Sequence, residues 1–172
     1  MRYISIFACL ILLAIICCFS EGTNLPNSEY LRIHIRANSN SVIDQNIKYE
    51  IKDAVVDSLI PLLANCTTKK DAYSTLSQNL TLIENIADDI LKTNNFNYTS
   101  SAKVAHEEFP TRNYQDLTLE NGFYDALILE LGTASGDNWW CVVYPPLCFV
   151  NGSTKVTQFK SRIIEIINNF FN

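Results

Sequence analysis

Residues 30–63 read YLRIHIRANSNSVIDQNIKYEIKDAVVDSLIPLL, and the change of periodicity within them decides the fold. Apolar and polar residues alternate over 31–36, which predicts a strand with one buried face. A polar turn follows, and Ser41 with Asp44 three residues later is typical of a helix N-terminus. Apolar residues then recur at helical spacing: Ile43, Ile47, Ile51, Val55, Leu59, Leu62 and Leu63. Pro61 is expected to kink or end this helix.

Further along the chain, helical and extended patterns follow in blocks. Thr68 with Asp71 repeats the N-terminal pattern, and apolar residues over 76–91 predict one more helix. Three later stretches predict strands: 102–109, 123–131 and 138–144. The apolar spacing over 156–170 predicts a final helix, for which core packing and a foot on a membrane surface are both open. This order predicts an α+β fold, a mostly antiparallel sheet with helices packed on one face.

The N-terminal segment indicates export. Met1 and Arg2 precede the almost wholly apolar run 4–19, and small and polar residues follow it. This is the order of regions in a secretory signal peptide. We therefore expect a signal peptide at 1–22 and a single globular domain at 23–172. An uncleaved membrane anchor is the alternative, although the apolar run is short for a span of about 20 residues.

Residues 138–149, NWWCVVYPPLCF, are the most unusual stretch of the predicted domain. Pro145 and Pro146 cannot donate backbone hydrogen bonds, so the strand before them should stop or bend there. Trp139 and Trp140 are rigid and costly to expose to water. We expect both tryptophans to pack inside the protein, so that this segment serves architecture and not partner contact.

Three cysteines remain once the predicted signal peptide is removed: Cys66, Cys141 and Cys148. Cys141 and Cys148 flank the proline bend, so a disulfide between them is predicted, and two buried free thiols are the alternative. The cysteines and the two histidines lack the C-x-x-C and H-x-x-x-H spacings of zinc sites. No metal site is therefore expected.

The composition excludes several classes of function. The chain has 18 acidic and 13 basic residues and a formal net charge of −5. Nucleic acid is not an expected partner, because its binding needs a basic surface. The chain contains no glycine-rich phosphate loop and no G-x-S-x-G motif. His34 and His106 have no nearby cysteine and orienting acid in the sequence, so no catalytic residue and no cofactor is predicted.

The polar face of the first predicted strand carries a cationic stripe on an otherwise acidic chain. The stripe consists of Arg32, His34 and Arg36. A solvated sheet face and a docking face both explain it. We take the stripe and the adjacent turn residues Asn38 and Ser39 as the candidate partner-binding surface, because polar side chains can be replaced there without emptying a core.

Several blocks of the sequence together match one known family. The first block covers the predicted strand, turn and helix and contains Arg32, His34, Ala37, Asn38, Ser39, Ser41, Asp44, Gln45 and Lys48. The other blocks are 52–55, 109–111 with Tyr114, 122–127, 136–142 and 145–149. On these residues the chain closely resembles the stage II sporulation protein R family of endospore-forming bacteria. Arg36, Lys52 and 120–121 depart from the family's pattern.

The resemblance implies an intercellular signal and not an enzyme. Such a protein is expected to be made in the forespore and exported into the space between the two septal membranes. There it would activate a membrane-embedded aspartic protease of the mother cell, which removes the pro-sequence of a sigma factor. It would act near the membrane without spanning it. Two alternatives come from the residues: a cell-wall-binding module with Trp139 and Trp140 as a sugar-stacking platform, and a thiol-dependent hydrolase using Cys141, Cys148 or His34.

Overall fold

The computed structural model describes residues 26–114 and 117–147. The predicted signal peptide, Cys148 and the predicted C-terminal helix lie outside these residues. After a short 3-10 turn, the described chain forms three helices and six strands. In chain order these are β1 (Leu31–Arg36), α1 (Val42–Leu63), α2 (Lys69–Gln78), α3 (Leu80–Thr93), β2 (Ser100–Phe109), β3 (Arg112–Tyr114), β4 (Leu117–Leu119), β5 (Gly122–Leu131) and β6 (Asn138–Tyr144).

The first helix begins where its capping residue predicts. Ser41 is the N-cap of α1, and its side chain accepts a hydrogen bond from the backbone N–H of Asp44 at 3.1 Å. This bond satisfies one of the free N–H groups of the first turn. Pro61 lies in the last turn, and the helix ends at Leu63 two residues later.

The second predicted helix is two helices, so that prediction was wrong in its length. The capping box of Thr68 and Asp71 begins α2, as expected. The helix then breaks at Asn79, whose side-chain Nδ2 donates to the carbonyl oxygen of Thr75 at 2.7 Å. Asparagine side chains compete in this way with the backbone hydrogen bonds of a helix. Both helices still bury apolar residues in the same core.

The sheet has the strand order β2-β5-β1-β6. Its outer pairs, β2 with β5 and β1 with β6, are antiparallel, but the central pair is parallel, in the register Leu31↔Asp125 to Arg36↔Glu130. The α+β class is confirmed, and the sheet is mixed at its centre. A parallel pair needs a long connection that returns the chain to the end of the sheet where β1 begins. The connection from β1 to β5, which includes three helices and β2, is long enough to do this.

The two faces of the sheet are covered differently. On one face, Ile33 and Leu129 belong to a large aliphatic core with residues of all three helices. On the other face, Tyr124 and Phe109 belong to a smaller aromatic core. The β3–β4 hairpin contributes Leu119 to this second core and is a separate two-stranded sheet. Helices therefore pack on one face, as predicted, and the hairpin covers the other.

Candidate partner-binding surface

The cationic stripe is not exposed, so the expectation of a solvated or docking sheet face was wrong for its first two residues. Arg32 is 0% and His34 is 5% exposed. Both project from β1 into the aromatic core under the β3–β4 hairpin. Alternation along the strand places these side chains on the face opposite the helices. The expectation failed because the alternation in β1 carries no information about the β3–β4 hairpin, which covers that face from far along the chain.

Aromatic rings surround the buried guanidinium of Arg32. Its central carbon lies 4.3 Å from the centre of the Phe109 ring and 4.7 Å from that of Tyr124. Nη2 donates to the hydroxyl of Tyr114 at 2.9 Å, whereas Nε and Nη1 have no hydrogen-bond partner among the described residues. Cation–π attraction offsets part of the desolvation of the charge. Arg32 therefore acts as a buried component of the core.

His34 is also part of this core. Its ring stacks on Trp140 with centroids 5.3 Å apart and meets the Phe109 ring edge-on at 5.6 Å. Burial lowers the pKa of His34, and the neighbouring positive charge of Arg36 lowers it further. Asn138 and Glu107 raise the pKa but do not outweigh burial, and the Glu107 carboxylate oxygen is 3.6 Å from Nδ1. The histidine is therefore held neutral inside the protein.

Arg36, at the end of the stripe, is half-buried and neutralised. Its guanidinium donates from Nη2 to Glu107 and from Nη1 to Glu130, both at 2.6 Å. Two short charge-assisted hydrogen bonds hold it across three strands of the sheet. Little free positive charge remains for a partner, so the stripe does not form a cationic docking surface in this conformation.

The turn after β1 is organised around the carboxylate of Asp44. Oδ2 accepts from Asn38 Nδ2 at 2.9 Å and from Ser39 Oγ at 2.5 Å, and Oδ1 accepts from the hydroxyl of Tyr98 at 2.6 Å. Burial opposes the charge, but the hydrogen bonds from Ser39, Tyr98 and Asn38 outweigh it and lower the pKa of Asp44. Asn38 and Ser39, which we expected to contact a partner, thus make internal bonds.

The same turn is bonded to the loop between β5 and β6. Asn38 Oδ1 accepts from the backbone N–H of Thr133 at 2.9 Å, and Asn40 Oδ1 accepts from that of Asp137 at 2.6 Å. Gly136 lies so close to the turn that an added Cβ would clash with the carbonyl oxygen of Ser39. The turn is therefore held closely against the β5–β6 loop.

The buried Lys48 completes this bonding. Its ammonium donates to Gln45 Oε1 at 2.6 Å and to the carbonyl oxygen of Asp137 at 3.0 Å. Gln45 in turn donates to the carbonyl oxygen of Ser39 at 2.9 Å. Residues that carry the family resemblance in the β1–α1 region therefore hold two loops together at the carboxyl ends of the parallel strands. We call this set of bonds the turn network.

Two apolar side chains stand exposed on top of the turn network. Val42 is 75% and Ile43 is 68% exposed, in the first turn of α1. The sequence interpretation placed Ile43 on the buried face of the helix, which was wrong. Asp44 takes the inward position instead, followed by Ile47 one turn later. The sequence signal that was missed is Asp44. Because this polar residue points inward, the buried face of α1 lies away from its apolar neighbours Val42 and Ile43.

The two tryptophans are half-buried on opposite faces of β6. Trp139 packs on the helix side, with the Lys52 ammonium 5.7 Å from its ring centre. Trp140 packs on the hairpin side, with the Arg112 guanidinium carbon 4.1 Å from its ring centre. Both pack against a core, which fits the expected architectural role. Neighbours in a strand point apart, so the two rings do not form one sugar-stacking platform.

The cysteine and histidine of the hydrolase alternative are also on different faces. Cys141 is buried in the helix-side core, and His34 is in the hairpin-side core. Cys148 lies outside the described residues, so the Cys141–Cys148 disulfide stays a prediction. Strand β6 ends at Tyr144, directly before Pro145 and Pro146, as predicted.

The described residues contain neither a set of metal ligands nor a membrane-spanning helix. Across 26–114 and 117–147, no three histidine, cysteine or acidic side chains gather into a set that could ligate a metal ion. Among the helices described, none combines the length and the apolar character needed to cross a membrane.

Comparisons with known proteins agree with the residue pattern. The Stage II sporulation protein R family matches residues 27–154. The chain is 34% identical over 123 residues to Stage II sporulation protein R of Bacillus subtilis (strain 168), which covers 72% of this chain. The match spans about half, 55%, of that relative's length. No solved structure matches the chain. The chain therefore belongs to the stage II sporulation protein R family.

Proposed function

We propose that the protein is an exported, non-enzymatic signal of sporulation. It passes from the forespore into the space between the septal membranes and activates a membrane-embedded aspartic protease of the mother cell. That protease then removes the pro-sequence of a mother-cell sigma factor. The observation that carries this proposal is membership of the stage II sporulation protein R family over residues 27–154.

The geometry of the polar residues supports a role without catalysis. The side chains of the β1–α1 region that could act as acids, bases or nucleophiles make internal contacts that stabilise the fold. Asp44 accepts hydrogen bonds from Asn38, Ser39 and Tyr98, and His34 is stacked inside an aromatic core. A general base or nucleophile needs access to a substrate. These residues support a scaffold that presents a surface.

Within this proposal, one contact surface is the exposed first turn of α1. Val42 and Ile43 are apolar, exposed and held by the rigid turn network beneath them. A few anchors of this kind carry most of the binding energy of an interface. Asn38 and Ser39 then act by supporting these anchors. A soluble activator works if it binds the active state of the protease more tightly than the idle state.

Export and the disulfide are parts of the same proposal. The signal peptide would be removed near residue 22, and Cys141 would pair with Cys148 outside the cytosol. N-terminal sequencing of secreted protein tests the first part, since an N-terminus at Met1 contradicts cleavage. Mass spectrometry without reductant tests the second, since alkylation of both cysteines contradicts the bond.

Reconstitution tests the function directly. The full chain, the candidate protease and the sigma precursor are expressed together in a heterologous host, and precursor cleavage is followed. Cleavage should require all three proteins. Replacing Leu12 and Leu13 with Asp should block export and abolish cleavage when the protease faces the outside. Cleavage that persists without this chain would overturn the proposed function.

A further inference from the structure

One outer edge of the sheet is only partly covered. In an antiparallel pair, alternate residues direct their backbone N–H and C=O groups toward the neighbouring strand, and the others direct them away. The N–H groups of Ser100 and Ala102 in β2 point away from β5. They donate instead to side-chain carboxylates of α3, to Asp88 at 2.6 Å and to Glu84 at 2.7 Å. Helix α3 therefore covers the beginning of this edge.

The same alternation places the backbone groups of Val104, His106 and Glu108 on the outer side of β2. Among the described residues, the β2 amides that donate to α3 side chains are those of Ser100 and Ala102, and none of these three amides does so. Pro110 follows directly after the strand ends at Phe109. With respect to the described residues 26–114 and 117–147, the edge is therefore open over about five residues, 104–108, which is the length of a short strand.

The side chains beside this open edge have a defined chemistry. The rings of His106 and Phe123 stack with centroids 5.6 Å apart and planes inclined by 17°, and Phe123 is 59% exposed. Asp125 accepts from His106 Nδ1 at 3.0 Å and pairs with the Lys69 ammonium at 2.6 Å. Glu108 is exposed on the same face of the sheet, two residues beyond His106. A stacked pair of rings, with the apolar Phe123 exposed, thus lies next to an acidic side chain.

We propose that an extended segment of the activated protease adds to this edge as a further strand, pairing its backbone with Val104, His106 and Glu108. The proposal rests on the proposed function for the identity of the protein that supplies the segment. Only an extended chain matches a row of outward N–H and C=O groups. The segment should carry an apolar or aromatic residue opposite His106 and, two residues away, a lysine or arginine opposite Glu108.

The test uses the full chain in the same reconstitution, with the photo-reactive p-benzoylphenylalanine at position 103 on the edge strand. Light should cross-link this position to the protease, and the same group at position 57 on α1 should give no cross-link.

His106→Pro removes the outward N–H, which an edge strand tolerates. It should lower the cross-link yield about tenfold, because the new pairing loses a backbone donor. His106→Ala removes the ring but keeps the N–H, so its cross-link yield should fall clearly less than that of His106→Pro.

Cross-linking and precursor cleavage are read separately, so two failures are distinguishable. Cleavage without a cross-link from position 103 overturns the strand addition and leaves the function standing. A cross-link to the protease without cleavage supports the strand addition and overturns activation. A cross-link to a second copy of the chain, or full yield from a folded His106→Pro variant, overturns the strand addition. Absence of both signals overturns both. Circular dichroism confirms that each variant is folded.

Discussion

The two faces of the central sheet bury side chains of opposite character. The helix-side face is aliphatic and contains Leu31, Ile33 and Ile35 of β1. The hairpin-side face buries Arg32 and His34 of the same strand among aromatic rings. The comparison shows that strict alternation in a strand reports which residues share a face. It does not report whether the polar face is open to water.

Replacing a helix-side residue should have the largest effect on stability. Ile51 is fully buried in the aliphatic core, so Ile51→Ala should lower the free energy of unfolding by about 2–5 kcal/mol through lost burial and a residual cavity. Urea denaturation measures this. Leu82→Ala on the exposed side of α3 is the control and should stay within about 0.5 kcal/mol. A loss below about 1 kcal/mol for Ile51→Ala would contradict the assignment of the main core.

Replacing Arg32 should distinguish the second face from the first. Arg32→Ala should lower the free energy of unfolding by about 2–3 kcal/mol, because it leaves a cavity between Phe109 and Tyr124. Arg32→Met fills the space without burying a charge, so it should stay within about 1 kcal/mol of the natural chain. Equal losses in both variants would show that the charge itself stabilises the face.

A double variant of Arg32 and Asn38 tests the exposed-face interpretation of the stripe. If these residues formed an exposed docking face, both should be replaceable by alanine without harm to folding. Their burial and bonding instead predict that the double variant is destabilised, which thermal denaturation by circular dichroism measures. A double variant as stable as the natural chain would restore the exposed-face interpretation.

The turn network should show a smaller effect that depends on pH. Asp44→Asn should lower the free energy of unfolding by about 1–3 kcal/mol at pH 7, since three donors lose a charged acceptor. The folded pKa of Asp44 is lowered, so its contribution is complete above the unfolded pKa of about 4 and is lost as the pH falls through the folded pKa.

Urea denaturation of the natural chain and the Asp44→Asn variant between pH 7 and pH 3 measures this difference, which should shrink toward the acid end. Asp57→Asn is the matched control, because Asp57 is exposed on α1. A stability difference between the natural chain and the Asp44→Asn variant that does not change over this range would contradict the role of the charged carboxylate.

The smallest effect on stability is expected at the exposed first turn of α1. Replacing Val42 and Ile43 with serine should change the free energy of unfolding by no more than about 0.5 kcal/mol per residue. Precursor cleavage in the reconstitution should fall by about tenfold or more, because the interface loses its apolar anchors. Leu82→Ser, also an exposed apolar residue, should retain full cleavage. Full cleavage by the Val42 and Ile43 variant would show that the first turn of α1 is not a contact surface.

Local signals predicted most of the elements. The alternation over 31–36, the cap at Ser41 and the strand over 138–144 all appear in the structure at those residues. The predicted helix through Asn79 is two helices, since a side-chain bond to the backbone interrupts it. Ile43 was assigned to the wrong face of α1, because the inward position belongs to the polar Asp44. Both errors arise where a side-chain hydrogen bond outweighs an apolar pattern.

The sequence proposed a location for the partner-binding surface but did not report how its residues are arranged. The polar residues of 32–39 singled out the stripe and the adjacent turn, and in the structure the turn is bonded to Asp44 and to the β5–β6 loop. The turn is also held by distant residues, because Asn38 Oδ1 accepts from the backbone N–H of Thr133 and Asn40 Oδ1 from that of Asp137. These partners are about 95 residues away in the chain, and no local pattern reports such a contact.

The sequence by itself determined the family, the α+β class and most element boundaries, because caps and periodicity act over a few residues. Only the tertiary structure decided the parallel central pair and which polar residues are buried. The hydrogen bond from Arg32 to Tyr114 joins residues 82 apart. Burial of that arginine follows from the path of the whole chain, which returns the β3–β4 hairpin to cover the face where the strand pattern predicts water.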